Sequence, residues 1–290
     1  MTLTQSNTLK RIQTHGQIPT LPAIMTRVLY VLEDEHSSAD DITAILSSDP
    51  VITARVLRLA NSAFYGSRFQ IDSIHRAVVT VGFEAVKQLT LATTVLQSFS
   101  PCTQHCLESE DFWMHALGSA KAAQLLAFST RHISMPEACF TAGLLHDLGK
   151  LMLSISLGPE YGEVMRRAAE EPCSLRAMER RLLQTDHAEV GAWLMQQWGF
   201  PALIVSAVQH AYTAEWYTGP FQKEVLIVSI ASDMARLAGF GHAGETTDAA
   251  LDSGSVGALG LDVPQVEEIC ETLAIMKDDA RTFLGLFQQT

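Results

Sequence analysis

The sequence predicts an all-α protein, because its apolar residues repeat with the period of a helix. Along most of the chain these positions recur three and four residues apart, and no segment sustains the alternation typical of a half-buried strand. Helix-starting residues precede many of the periodic segments, and turn-forming residues follow them. Hydrophobic residues make up 47% of the 290 residues, so the helices have enough apolar surface to form a sizeable core.

The N-terminal part is predicted to contain five helices, four of which have a clear start signal. Prolines in the first turn and capping side chains provide these signals. In chain order they are Pro22, Ser38 with Asp41, Asp49-Pro50 and Ser73. The helix that begins at Ser73 is predicted to close at Gly82, and a fifth covers residues 83–99.

A second set of helices follows a break between residues 101 and about 108. The predicted ranges are 110–128, 136–147, 150–170, 174–183, 187–198, 201–212 and 222–238. Residues 239–257 are rich in turn formers and are predicted to be a loop, after which Pro264 starts a last amphipathic helix. This organisation predicts a helical bundle over residues 1–106 and a second helical domain over residues 107–290.

The charge balance and the terminal sequences restrict the classes of function. There are 20 Lys and Arg against 32 Asp and Glu, which gives a net charge of −12, so general nucleic-acid binding is disfavoured. No apolar run has the length of a membrane span, and the N-terminus lacks a signal-peptide pattern. Five scattered cysteines suggest no disulfide framework. A cytoplasmic protein without membrane association is expected.

The pair His146-Asp147 is the strongest functional candidate. It follows an apolar run and precedes Gly149 and Lys150. Imidazole and carboxylate groups are both metal ligands, and a helix end relaxed by glycine can direct two adjacent side chains to one ion. The cation of Lys150 would suit a phosphate or pair with Asp147.

Four further polar residues stand in largely apolar helical contexts at intervals of about one helix. They are His115, His187, His210 and Asp233. One inward-facing polar residue on each of several helices is how a bundle builds a metal site. The alternative is that each is a separate core or surface residue with its own hydrogen-bond partner.

The order of these residues along the chain resembles the signature of the HD superfamily of metal-dependent phosphohydrolases. That signature is a His, then a His-Asp pair, then an Asp, and the corresponding residues here are His115, His146-Asp147 and Asp233. Positions His187 and His210 are similar to the extra histidines of its cyclic-dinucleotide branch. The resemblance implies that His115, His146, Asp147 and Asp233 hold a first metal ion. It also implies that His187 and His210 add a second. However, the chain departs from the cyclic-dinucleotide branch after His210. Tyr212 and its neighbours include no second histidine to pair with His210, and no Gly-Tyr-Pro motif follows.

The N-terminal part resembles the HDOD domain, the HD-related output domain, over residues 18–97. The similar segments are 18–22, 45–52, 55–66, 74–78 and 81–83, with sequences IPTLP, ILSSDPVI, RVLRLANSAFYG, IHRAV and VGF. From about residue 10 to near its end, the chain is therefore identified as a member of the HDOD family. Its implied fold is an N-terminal helical bundle packed on an HD-superfamily-like helical domain.

This resemblance implies a bacterial signal-transduction regulator that acts through protein or ligand binding. A metal-dependent phosphohydrolase, acting on a nucleotide or cyclic nucleotide, is the alternative, with Asp147 and Lys150 as the catalytic candidates. One or two divalent iron, manganese, nickel or zinc ions would suit the mixed ligand set. A signalling protein is the expected partner, and a homo-oligomer is left open.

Overall fold

The structure, a computed structural model, describes residues 7–15, 23–34, 36–61, 70–99, 107, 109–130 and 136–285, and these contain helices but no β-strand. The all-α prediction is thus confirmed. The first helices are α1 (Asn7–His15), α2 (Ala23–Glu33), α3 (Ala39–Ser47), α4 (Pro50–Ala60), α5 (Ile74–Val81) and α6 (Phe83–Phe99). Helix α6 contacts α2, α3, α4 and α5 and also α8.

The remaining helices build the larger part of the core. They are α7 (Ser109–Ser129), α8 (Pro136–Leu145), α9 (Leu148–Leu157), α10 (Pro159–Glu170), α11 (Leu175–Leu183), α12 (His187–Gln197), α13 (Ala202–His210), α14 (Gln222–Leu237), α15 (Ser253–Ala258) and α16 (Val263–Gly285). Helix α7 is central, because α8, α14 and α16 all pack against it. Among the described residues, no helix combines the length and apolar character that crossing a membrane requires.

Three elements differ from the sequence-based predictions by more than a residue or two at a helix end. The helix predicted over residues 150–170 is interrupted, since Gly158 adopts a φ of +50° and Pro159 cannot continue the hydrogen bonds of α9. Helix α15 lies inside the predicted loop and begins where Asp252 accepts a hydrogen bond from the Ser255 amide. Helix α1 was not predicted, because only Leu9 and Ile12 mark its apolar face.

The predicted break at residues 101 to about 108 lies largely outside the part of the chain that the structure describes, which does not include residues 100–106 and 108. The division at residues 106 and 107 stays a prediction. Parts of the HDOD-like segments, residues 18–22 and 62–66, also lie outside the described chain.

Small residues allow the central helices to approach closely. A Cβ atom on Gly143 of α8 would lie 2.7 Å from the Ser119 carbonyl oxygen of α7. A Cβ atom on Gly149 of α9 would lie 2.8 Å from the Gly191 nitrogen of α12. Both distances are too short for a real side chain, so these glycines permit contacts that bring α7, α8, α9 and α12 together around one buried point.

Replacing Ser174 with alanine is expected to lower the free energy of unfolding by about 1 kcal/mol, because Ser174 caps α11. Its hydroxyl accepts a hydrogen bond from the Ala177 amide at 3.2 Å. Urea denaturation would measure the change, and Ser174→Thr, which keeps the hydroxyl, is the control. Equal stability of the alanine variant and the wild type would contradict the capping role.

Candidate metal centre

Three helices and one turn bring five polar residues into the interior. Helix α7 supplies His115, and the two-residue turn between α8 and α9 supplies His146 and Asp147. The first turn of α9 supplies Lys150, and the first residue of α12 is His187. All five are buried. Burying so many polar groups is costly unless they satisfy one another or a bound ion.

The three imidazoles face the carboxylate of Asp147. Its Oδ2 atom lies 3.6 Å from Nε2 of His115 and 3.5 Å from Nε2 of His146. Its Oδ1 atom lies 3.8 Å from Nε2 of His187. Ligand atoms of His115, His146 and Asp147 all lie within 4.8 Å of one another, a spacing that could hold a metal ion.

Hydrogen bonds on the far side of two rings set their tautomers. The Nδ1 atom of His146 lies 2.7 Å from the Gly143 carbonyl oxygen, and that of His187 lies 2.6 Å from a Glu179 carboxylate oxygen. Each acceptor requires the proton on Nδ1, which leaves a lone pair on Nε2. Among the described residues, neither Nε2 atom has a hydrogen-bond partner. Metal-binding histidines are held in this way, so the residues present fit a metal ion.

The electrostatic setting favours neutral imidazoles around an ionised carboxylate. Burial lowers the pKa of His115 well below its usual value, and burial also lowers that of His146. Burial alone would raise the pKa of Asp147, but its neighbours His146 and Lys150 hold it below its usual range. Neutral imidazole and ionised carboxylate are the forms that bind metal ions.

Lys150 and Tyr212 both bind the Asp147 carboxylate. The ammonium group of Lys150 donates to Oδ2 at 2.8 Å, and the hydroxyl of Tyr212 donates to Oδ1 at 2.6 Å. The Tyr212 ring also stacks over His146, with ring centres 6.1 Å apart, and meets His187 edge to face at 4.7 Å. Burial and the Asp147 charge raise the pKa of Tyr212 well above its usual value, so the hydroxyl remains a donor.

Sequence reasoning did not identify Tyr212, Glu179 or Tyr161 as parts of this centre. Glu179 accepts hydrogen bonds from the amide of His187 at 2.9 Å and from the Tyr161 hydroxyl at 2.6 Å. A signal for Glu179 was present, since it shares the buried face of α11 with Leu175 and Met178. A carboxylate on an apolar face needs a partner, so the position of Glu179 predicts a buried polar contact.

Three of the predicted ligands, His187, Asp233 and His210, are outside the His115, His146 and Asp147 group, although His187 lies beside Asp147. Asp233 forms an ion pair with Arg236 at 3.1 Å, and 35% of its side chain is exposed. Its neighbour Ser232 faces inward instead, with its hydroxyl 3.3 Å from Nε2 of His115. Consecutive residues on a helix differ by about 100° in direction, so only one of the pair can face the centre.

His210 lies at the end of α13, half-buried, with its ring centre 4.6 Å from that of Tyr217. Burial lowers its pKa. Tyr212, two residues later, is the residue of this segment that reaches Asp147.

The helical architecture with a buried His-His-Asp group defines an HD-like class of protein. The HDOD domain family model matches residues 18–214, which is more than half of the chain. The chain belongs to the HDOD family.

Two solved structures resemble this one over nearly their whole length. An HDOD domain protein of unknown function from Geobacter sulfurreducens has a TM-score of 0.82 at 26% identity, and the alignment covers 95% of each chain. A proposed phosphohydrolase from Shewanella amazonensis SB2B has a TM-score of 0.75 at 26% identity, with 96% of this chain and 97% of that chain covered.

An uncharacterised protein of Treponema pallidum (strain Nichols) is 26% identical to this chain over 195 residues. The match spans 66% of this chain but only 37% of that protein. This chain therefore corresponds to less than half of the length of the relative.

Proposed function

We propose that this chain is a bacterial signal-transduction regulator that binds a metal ion at its buried centre without turning over a substrate. The observation that supports this proposal most is the position of Tyr212. Its hydroxyl binds Asp147, and the same residue lines the neighbouring cleft. Tyr212 therefore stands between the surface cleft and the carboxylate.

A metal-dependent hydrolase needs a water molecule activated by the ion and a substrate phosphorus within its reach. Here both oxygens of Asp147 carry a hydrogen bond, one from Lys150 and one from Tyr212. The three imidazoles around it are buried. A substrate in the cleft would meet the phenol of Tyr212 before it met the centre.

A bound ion would be held by His115, His146 and Asp147, and His187 lies next to them with its own Nε2 lone pair. Iron, manganese, nickel and zinc suit these ligands, and one or two ions remain compatible with the proposal. The ion would supply positive charge that ties α7, the turn before α9 and α12 together. Under this proposal, Lys150 and Tyr212 position Asp147. The partner that the regulator binds is a signalling protein or a second copy of the chain.

A metal-dependent phosphohydrolase is the second candidate. The buried Lys150 beside Asp147 favours it, because a fixed cation near a metal could bind a phosphate oxygen. The similarity to the proposed phosphohydrolase from Shewanella amazonensis SB2B also supports it. In that case Asp147 and Lys150 would be catalytic, and the substrate would be a nucleotide or cyclic nucleotide.

Metal binding is expected to raise the melting temperature, and removal of the ion with a chelator is expected to reverse the rise. At a free-metal concentration of about 100 times Kd, the stabilisation is about 2.7 kcal/mol, which corresponds to roughly 5 °C or more for a chain of this size. Elemental analysis of protein purified without chelator would give occupancy. His146→Ala should abolish both signals, while His36→Ala, at an exposed position, should change neither.

The metal-loaded protein and its Tyr212→Phe variant would then be assayed with nucleotides, cyclic dinucleotides and generic phosphodiesters. The regulatory proposal expects no turnover by the wild type. Wild-type turnover that Asp147→Ala abolishes would overturn it in favour of the phosphohydrolase. Absence of any bound transition metal after supplementation would overturn the metal claim.

A further inference from the structure

A cleft of about 520 Å³ lies beside the buried centre and carries an uneven distribution of charge. We call it the arginine cleft, and its principal lining residues are Arg176, Arg180, Tyr212, Ser232, Asp233 and Arg236. Tyr212 and Ser232 also contact Asp147 and His115 of the buried centre. The arginine cleft and the centre therefore share a wall.

Arg176 and Arg180 are held in place by one buried carboxylate. The Oδ2 atom of Asp186 accepts a hydrogen bond from the Nε atom of each arginine, at 2.7 Å and 2.6 Å, and the Asp186 side chain is 1% exposed. Its Oδ1 atom caps α12 by accepting from the Glu189 amide at 2.8 Å. Asp186 uses only the Nε atoms. Among the described residues, the terminal nitrogens of Arg176 and Arg180 donate no hydrogen bond.

The other charged residues of the cleft wall are Arg236 and the carboxylates of Asp233, Glu245, Glu215 and Asp248. Asp233 forms its ion pair with Arg236, and Arg236 also donates to the Thr247 carbonyl oxygen. Glu245 accepts hydrogen bonds from the amides of Leu175 and Thr246. The remaining carboxylates, on Glu215 and Asp248, are solvent-exposed. Arg176 and Arg180 share the one carboxylate of Asp186, which leaves one unbalanced positive charge in this local group. Elsewhere on the wall, Glu245, Glu215 and Asp248 have no cationic partner among the described residues.

The sequence pair Arg180-Arg181 is divided between two environments. Arg180 lines the cleft, whereas Arg181 points away and binds Glu171 at the surface at 2.7 Å. Only Arg180 can contact a ligand in the cleft. Arg181 has the same charge on the same helix and therefore provides a control.

We propose that Arg176 and Arg180 form a binding site for the phosphate group of a small molecule. The planar guanidinium presents paired donors that match phosphate oxygens, and two such groups fixed by Asp186 need little ordering when the ligand binds. This inference rests on the proposed regulatory function and deepens it by naming the class of ligand. Its connection to the centre is direct, since Tyr212 lines both and Asp186 immediately precedes His187.

Calorimetric titration of the full chain with inorganic pyrophosphate and, separately, with adenosine monophosphate tests the proposal. Both probes carry the phosphate oxygens, and comparison of their affinities distinguishes a free anion from a phosphate ester. Arg176→Gln or Arg180→Gln is expected to weaken binding by at least about tenfold, the effect of losing one charge-assisted hydrogen bond. Arg180→Lys keeps the charge but loses the paired donors, and should bind less tightly than the wild type.

Arg181→Gln is the matched control and should leave the affinity within about twofold, since surface ion pairs contribute little. Absence of saturable binding of both probes at millimolar concentration would overturn the proposal, as would equal weakening by Arg180→Gln and Arg181→Gln. Melting temperatures of the variants identify any loss that arises from misfolding. Metal content and turnover are measured in the same samples, so failure of the phosphate site is distinguishable from failure of the regulatory proposal.

Discussion

Lys150→Met is expected to lower the free energy of unfolding by about 3–5 kcal/mol, the effect of leaving a buried charge without its partner. The Lys150 ammonium and the Asp147 carboxylate are both almost completely buried, with Nζ and Oδ2 2.8 Å apart. Methionine has a similar length and is apolar, so the variant removes the charge with little change in volume. Chemical denaturation in the presence of a chelator would measure the loss, because a bound cation could partly replace the ammonium.

The double variant Asp147→Asn with Lys150→Met isolates the interaction between the two charges. With both charges removed, the double variant should be more stable than the sum of the two single losses predicts. Lys223→Met, at an exposed position of α14, is the control and should change stability by no more than about 0.5 kcal/mol. Additive losses from Asp147→Asn and Lys150→Met would show that the two side chains do not depend on each other.

Local sequence patterns were sufficient to predict the part of the centre around Asp147. His146, Asp147 and Lys150 are close in sequence, so the geometry of one helix junction fixes their relation. His115 and His187 could be proposed because each stands in an apolar helical context, and an isolated polar residue there requires a partner. The structure brings both within 4 Å of the Asp147 carboxylate.

The rest of the centre depends on the rotation of each helix about its axis, which the sequence pattern does not fix to within one residue. At the adjacent positions Ser232 and Asp233, the pattern favoured the carboxylate, but the serine faces His115. Similarly, His210 was favoured, but it is Tyr212 that reaches Asp147. Tyr212 lies after the end of α13, where helical periodicity no longer predicts direction.

Gly149→Ala is expected to destabilise the protein by about 3 kcal/mol or more, at the upper end of the usual cost of overpacking. The added Cβ atom would lie 2.7 Å from the carbonyl carbon of His187 and 2.8 Å from the nitrogen of Gly191. Both are backbone atoms of α12, so no side-chain rotation can relieve the overlap. Helices α9 and α12 would have to separate, and His187 would move away from Asp147.

Two other glycine variants test whether backbone contact is the cause. At Gly191 the added Cβ would lie 3.1 Å from Cγ1 of Val208 and 3.3 Å from the nitrogen of Gly149. These distances are longer than those at Gly149, so Gly191→Ala should cost less than Gly149→Ala. Gly257 in α15 has no atom within 4 Å of an added Cβ, and Gly257→Ala should be neutral or stabilising by up to about 1 kcal/mol. Thermal denaturation of the three variants should rank them in that order. If Gly149→Ala were as stable as Gly257→Ala, α9 and α12 could not be in the close contact that places His187 beside Asp147.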